Sequence, residues 1–450
     1  MRHQAPHAQR RLVRALAAAL AAGALLHSGG AAALGLMQAY EAAAVNDPTF
    51  QSAFQDAEAG KEYKALGRSA LLPNLSANYS VSRNHSDLTI GKSFTQPQYY
   101  SRSAGVSLRQ PLFNLDALAR YKQGIAQSAY NEATFSGRTQ EMILRVTSAY
   151  IDALFGQEQL RLAQVQRDVL VEQRKVNDRL FAGGEGTKTD ALETQARLDL
   201  AEAQVLEAQD NLQTQRATLA ALVGGEVDTL DGLKPDFRFL PMPEGGFEGW
   251  RQLALERNPE LQAQNFAIES ARQEVNKSRA GHLPRVDFVG TYSKGNSETL
   301  NTYNQESTTR AIGIQVSVPL YSGGQVNASS RQSVASLEKA RAELQAKSDK
   351  ILVDLRKQYA AVSSGMARIQ ALDKAVSSGK LLVQATEQSI KGGVRINLDL
   401  LNAQQQLYTS TRDLAQARFT YLLGMLKLRA GAGTLGAGDV REVAEYFVKR

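Results

Sequence analysis

The chain has 450 residues, with 52 Lys plus Arg against 45 Asp plus Glu, no cysteine and five histidines. Arg2, Arg10, Arg11 and Arg14 supply much of the basic excess, so the rest of the chain is near charge balance and gives no reason to expect a nucleic-acid partner. The missing cysteine excludes disulfides and thiolate metal sites, and with only His85 and His282 beyond residue 33, histidine catalysis and histidine metal centres are all but excluded.

Residues 1–33 read as a secretory leader. A basic start is followed by an apolar run, Leu12 to Leu26, and by the small residues Ala31-Ala32-Ala33. The run is shorter than the ~20 residues that span a bilayer. No later stretch is as apolar, so no transmembrane helix is expected, and no cysteine follows the leader to carry a lipid anchor.

From residue 34 the chain says almost the same thing twice. Repeat 1 covers 34–224 and repeat 2 covers 258–433, with the later landmarks about 209 residues apart. Asn46-Asp47-Pro48 returns as Asn258-Pro259-Glu260, Leu72-Pro73-Asn74 as Leu283-Pro284-Arg285, and Gln110-Pro111-Leu112-Phe113 as Val318-Pro319-Leu320-Tyr321. A repeat this long is a duplicated structural unit. Each unit opens with a helical segment, 36–71 in the first. A β-hairpin follows, near 74–112 in repeat 1 and 285–320 in repeat 2. Leu75, Ala77, Tyr79 and Val81 alternate with Asn74, Ser76, Asn78 and Ser80, and Ile312, Ile314 and Val316 alternate with Gly313, Gln315 and Ser317. Strands of about 10 residues, apolar on one face and small or polar on the other, have the length and pattern of membrane β-strands. A soluble sandwich is the competing reading, but two strands per unit separated by so much helix suit it poorly.

Proline-free helical composition then runs over 115–182 and 325–391, about 100 Å each at 1.5 Å per residue. Tip turns follow near 182–188, with Gly183-Gly184, and near 391–396, with Gly392-Gly393. The return helices carry heptads: Ala191, Leu198, Val205, Leu212 and Leu219 in one, Leu400, Leu407, Leu414, Tyr421 and Leu428 in the other, each shadowed three residues later by a mostly small residue. That spacing specifies coiled-coil packing. Residues 225–257, with Pro235, Pro241 and Pro243, read as an irregular linker that joins the tail 434–450 in a belt around the helices.

No chemistry of catalysis or cofactor binding stands out, and no metal site. Gly431, Gly433 and Gly436 match a dinucleotide-binding glycine pattern but follow a helix rather than a strand. Gly183 to Lys188 lacks the residue order of a phosphate loop. Asp190 and Asp399 follow the two tip turns, where each can cap a helix or line an opening. Four strands cannot close a membrane barrel, whose smallest form has about 8, and open edges are not tolerated in lipid. The chain is therefore expected to oligomerise, and a wide pore favours 12 strands or more.

The duplicated helix–hairpin–helix unit resembles the TolC family of outer-membrane channels. So does the stretch from Gly392-Gly393-Val394-Arg395 through Asp399 to Gln404-Gln405-Gln406-Leu407-Tyr408, with its continuation from Tyr421 to Leu435. The resemblance implies a mixed membrane α/β fold: a homotrimer with a 12-strand outer-membrane β-barrel, four strands per chain, continued by a periplasmic α-helical coiled-coil barrel. It implies no catalysis, contact with outer-membrane lipid, and partners in a periplasmic adaptor and an inner-membrane ABC transporter or proton-driven pump. The pattern looks more like the type I secretion branch than drug or metal efflux; a periplasmic coiled-coil adaptor or scaffold is the reading from another class. By position, Asp399 matches the first aspartate of the gate constriction and Asn402 stands where the second is expected. Arg395 matches the arginine of an inter-coil tie, Thr189 and Asp190 match its partners, and Ile390 replaces the tyrosine that reinforces it. The turns at Gly183, Gly184, Gly392 and Gly393 match the surface that meets the adaptor.

Overall fold

The computed structural model of the protein describes residues 33–242, 245–298 and 304–448, so the expected leader lies outside the described residues except for Ala33. Repeat 1 comprises α1 (Leu36–Asn46), α2 (Pro48–Ser69), β1 (Asn74–His85), the small hairpin β2 (Leu88–Ile90) and β3 (Ser93–Thr95), β4 (Gln98–Phe113), α3 (Leu115–Ala182) and α4 (Lys188–Val223). Then come β5 (Gly232–Leu233), α5 (Gly246–Arg257), α6 (Pro259–Ala280), β6 (Arg285–Glu298), β7 (Asn304–Ser317), α7 (Gln325–Lys391), α8 (Asn397–Gly431), α9 (Ala437–Ala444) and β8 (Phe447–Val448). The long helices α3 and α7 have 68 and 67 residues, about 100 Å each. Among the described residues no helix is long and apolar enough to cross a membrane.

Two expectations need correction. The helical segment 36–71 is two helices, because Pro48 has no N–H to donate to a continuing helix but suits the first position of a new one. The linker is irregular only to about residue 245; α5 then repeats the role of α1, ahead of another proline-started helix. The same junction accounts for one step in the spacing of the repeats, since repeat 1 has an extra residue, Asp47, between the asparagine and the proline. In repeat 1, Asn46 Nδ2 donates to the Val223 carbonyl at 2.6 Å, while Asp47 caps α2 by accepting from the Thr49 N–H at 2.9 Å. In repeat 2, Asn258 does both, accepting from the Glu260 N–H at 2.9 Å and donating to the Gly431 carbonyl at 2.9 Å. A carboxylate cannot donate, so Asp47 cannot take on both tasks, whereas the amide of Asn258 can. Asp47 is buried against Arg145. Burial pushes its carboxyl up, but the Arg145 hydrogen bond and the Thr49 N–H outweigh that and hold it below the ordinary value.

The sheet is antiparallel in the order β1-β4-β6-β7. Its register places Leu75 beside Leu108, Leu108 beside Gly290 and Gly290 beside Ile312 on one face. That face is exposed in the single chain, Tyr79 by 71% and Ile312 by 83%. The other face is small and polar. Ser76 and Ser107 hydroxyls share a hydrogen bond of 2.7 Å, as do Ser80 and Ser103, and Arg109 Nε donates to Asp287 at 2.9 Å.

Two short helices flank each long one: α2 and α4 lie along successive parts of α3, and α6 and α8 along α7, while α6 and α8 also pack on α3. The main apolar core lies at mid-height, where the belt wraps the helices. It includes Met142, Tyr150, Trp250, Leu355, Leu422 and Met425. The belt is tied by pairing of β5 with β8 and by a bridge between Leu34 and Leu230. Phe237, Phe239 and Tyr446 gather around Tyr421 and one another with ring centroids 5.4–6.0 Å apart. The Tyr421 hydroxyl accepts from the Leu240 N–H at 3.1 Å, and burial pushes its pKa up to about 12.

Candidate functional site

The two tip turns are built alike. In the first, the Glu185 N–H reaches the Leu180 carbonyl at 2.9 Å and the Gly184 N–H reaches Phe181 at 3.1 Å; in the second, Val394 reaches Ser389 and Gly393 reaches Ile390, both at 2.9 Å. This pair of hydrogen bonds is the Schellman helix ending, and it needs one left-handed residue. The second glycine of each pair supplies it, Gly184 at φ 77° and Gly393 at φ 70°, while Gly183 and Gly392 keep negative φ. The apolar side chains of Phe181, Val394 and Ile396 are exposed beside these turns.

Beyond the turns the repeats diverge. Thr187 caps α4 by accepting from the Asp190 N–H at 3.1 Å, and its hydroxyl donates to the Asp190 carboxylate at 2.6 Å. Thr187 is thus the capping residue and Asp190, in the first turn of α4, is its partner, with Thr189 exposed beside it. At the start of α8 the cap position is Ile396, which makes no side-chain cap. Asp399 instead faces Arg395 of its own turn at 3.5 Å, half-exposed in the first turn of α8, where a carboxylate suits the helix dipole. Within one chain, then, Arg395 pairs with Asp399 rather than with Asp190.

What joins the two coiled coils within the chain is a buried amide and hydroxyl network. Asn177 of α3 donates to the Thr194 hydroxyl of α4 at 2.7 Å, and Thr194 also takes a bond from Asn397 of α8 at 3.2 Å. Gln173 donates to Asn397 at 2.9 Å. Thr194 and Asn177 are 0% and 5% exposed. One turn farther along, Arg197 Nη2 donates to the Asn402 side chain at 2.7 Å. Asn402 is therefore tied to α4 and stands on the same side of α8 as Asp399, three residues on. Below this network the seam turns apolar, with Leu170, Leu198 and Ala201 around Leu401.

Sequence reasoning found Thr194 only as a small seam residue and did not single out Asn177, Gln173, Asn397 or Arg197. The signal was present: Ala149, Gly156, Ala163, Leu170 and Asn177 recur every seven residues and are all buried. A polar residue in such a series is a register device of coiled coils. The heptads on the return helices appear as expected, with Leu198, Val205, Leu212 and Leu219 buried in one copy and Leu400, Leu414, Tyr421 and Leu428 in the other. Among the described residues no group of three His, Asp or Glu could hold a metal ion.

The family model described as outer membrane efflux protein matches residues 39–225 and 250–434. Over 422 residues the chain is 42% identical to the alkaline protease secretion protein AprF of Pseudomonas aeruginosa, covering 92% of this chain and 88% of that one. Over 432 residues it is 36% identical to the proteases secretion protein PrtF of Dickeya chrysanthemi, covering 94% and 93%. The structure of the outer-membrane channel OprN superimposes with a TM-score of 0.78 at 19% identity, covering 89% of this chain and 90% of that one.

Proposed function

The chain belongs to the outer membrane efflux protein family, and from that premise we propose that it is the exit duct of a type I secretion system whose cargo is a protein. The family is one of passive outer-membrane ducts, so the chain is not an enzyme, and its fold is that of the TolC-like trimeric channel-tunnels, with the helical barrel in the periplasm. The observation that carries the duct reading is the sheet: apolar on one face, small and polar on the other, with β1 and β7 at its two edges. The relatives named for protease secretion favour a protein cargo over drug or metal efflux, and with it a periplasmic adaptor and an inner-membrane ABC transporter. The exposed tip turns at Gly183, Gly184, Gly392 and Gly393 are the surface proposed to meet that adaptor. Asp399 and Asn402 are proposed to line the constriction. Arg395 is proposed to reach Thr189 and Asp190 of an adjoining coiled coil when the tip closes. Deleting this chain from cells that carry a protease-exporting ABC transporter and its adaptor is expected to leave the protease inside; undiminished release into the medium would sink the cargo reading.

The trimer can be tested at residue level. The repeat maps β4 onto β7 with an offset of 208, Pro111 onto Pro319, and β6 onto β1 with an offset of 211, Pro284 onto Pro73. The observed pairing of Arg109 with Val289 then maps onto Ser317 of one copy beside Asn78 of the next. Both residues belong to the polar face. Ser317→Cys with Asn78→Cys is expected to give a ladder of disulfide-linked dimers and trimers without reductant. No native cysteine complicates the result. Gln315→Cys with Asn78→Cys, two residues out of register, should cross-link poorly. A ladder from neither pair would contradict closure through β1 and β7.

A further inference from the structure

Closing the sheet has a consequence for its outer face. The row Leu75, Leu108, Gly290, Ile312 runs straight across the strands. By the same seam register, Ile312 meets Arg83 of the next copy, because the equivalent pair is Ala104 with Lys294. The row thus returns to β1 eight residues farther from the helices than it began. Threefold symmetry keeps equivalent residues at one height, so the row climbs by two residues at each strand. Residues at constant height are found by stepping back two per strand, and one such level reads Arg83, Arg102, Lys294, Arg310, then Arg83 again in the next copy.

All four side chains lie on the apolar, outward face, and all four are exposed. The three levels beneath them hold only Ala, Val, Leu, Ile, Phe, Tyr and one Gly. The level beyond them is His85, Tyr100, Asn296 and Thr308. A cation from every strand therefore falls where the apolar band ends, on the side away from the helices. Two of the guanidiniums lie over tyrosine rings, Arg310 at 5.6 Å from Tyr292 and Arg83 at 5.9 Å from Tyr100, which holds them against the barrel wall. Among the described residues Glu306 pairs with Lys294 and Asp87 faces His85 at 3.9 Å in the loop beyond. Glu306 and the last residue of β6, Glu298, stand two levels beyond the cations, so these acidic positions lie farther from the apolar band than the cations do.

The geometry points to a belt that binds the phosphates of outer-leaflet lipid headgroups. The assignment rests on the trimeric duct reading. A ring of guanidiniums and ammoniums offers charge-assisted bonds to phosphate oxygens. The apolar surface directly beneath, Val81, Ile312 and Ile314 with Tyr79 and Tyr292, suits the acyl chains of the same molecule. That continuity selects a lipid over free phosphate.

The test uses the full-length protein purified in detergent, with native mass spectrometry reading oligomer and bound lipid together. The trimer is expected to retain bisphosphorylated lipid A at least about tenfold better than dephosphorylated lipid A, and Arg83→Gln, Arg102→Gln, Lys294→Gln and Arg310→Gln combined should lose the same tenfold while staying trimeric. Millimolar inorganic phosphate should not displace the lipid. Equal retention of the two lipids by the unmodified trimer would overturn the belt, as would full retention by the variant or displacement by free phosphate. If the variant fails to assemble, the two lipids on the unmodified protein decide. An unmodified protein that is only monomeric would instead fell the duct reading.

Discussion

Asn397→Ala combined with Arg395→Ser is expected to raise single-channel conductance in planar bilayers several-fold, with most of the rise coming from Asn397. The magnitudes decide the order. Arg395 is half-exposed, and an exposed ion pair is worth ~0–1 kcal/mol. Asn397 takes a bond from Gln173 and donates to the fully buried Thr194; Thr194 keeps its bonds to Asn177 and the Asp190 carbonyl, so the loss is that of two hydrogen bonds, ~1–3 kcal/mol together. Three copies multiply the difference to ~3–9 kcal/mol for the network against at most ~3 for the charges. Opening that carries α8 away from α3 and α4 breaks the network, so its loss shifts the balance toward open. The two contributions separate by salt. The Arg395 share should fade as ionic strength rises, and the Asn397 share should persist, because buried bonds are little screened. Conductance of Asn397→Ala equal to that of the unmodified channel would show that the network stays intact in both states. The same bilayers test the constriction. Asp399→Asn should move the reversal potential in a salt gradient toward less cation preference, and an unmoved potential would leave Asp399 only a helix-start charge.

Gly433→Ala is expected to destabilise the protein by about 3 kcal/mol or more, through two effects at one point. Gly433 has φ 72°, a left-handed conformation that costs an L-residue ~1–2 kcal/mol. An added Cβ would also fall on the Arg257 carbonyl oxygen and lie 2.6 Å from Asn258 Cα, so the backbone of the α5–α6 junction must move. Moving it strains the double role of Asn258, and a helix cap alone is worth ~0.5–2 kcal/mol. The single tryptophan, Trp250, is 2% exposed in α5 and reports the unfolding of this region by fluorescence. Gly438→Ala is the control, since an added Cβ there meets nothing within 4 Å. Melting curves of Gly433→Ala that overlay those of the unmodified protein would show that the junction yields freely.

Periodicity is a local property, and the features that depend on it were legible in the chain by itself. Alternation over Leu75 to Val81 and over Ile312 to Val316 marked membrane strands, and the proline-free runs marked α3 and α7 at 115–182 and 325–391. The heptads on α4 and α8 marked their buried seams for the same reason: spacing of seven along a helix fixes which side chains share a face. The break at Pro48 was legible too, since a proline inside a helical run ends the helix before it, but composition smoothed it over. Only the tertiary structure decided which tip residues meet. Arg395 and Asp190 stand out as charges, yet within the single chain each has a local partner, Asp399 for one and Thr187 for the other, and the proposed contact between them needs an adjoining coil. The cross-coil contact went to Gln173, Asn177, Thr194 and Asn397, whose polarity looks unremarkable until packing buries Asn177 and Thr194, half-buries the other two and makes an unmet bond expensive. The cation level on the barrel wall was equally hidden. Arg83, Arg102, Lys294 and Arg310 lie far apart in the chain and share a height only once register and symmetry define one.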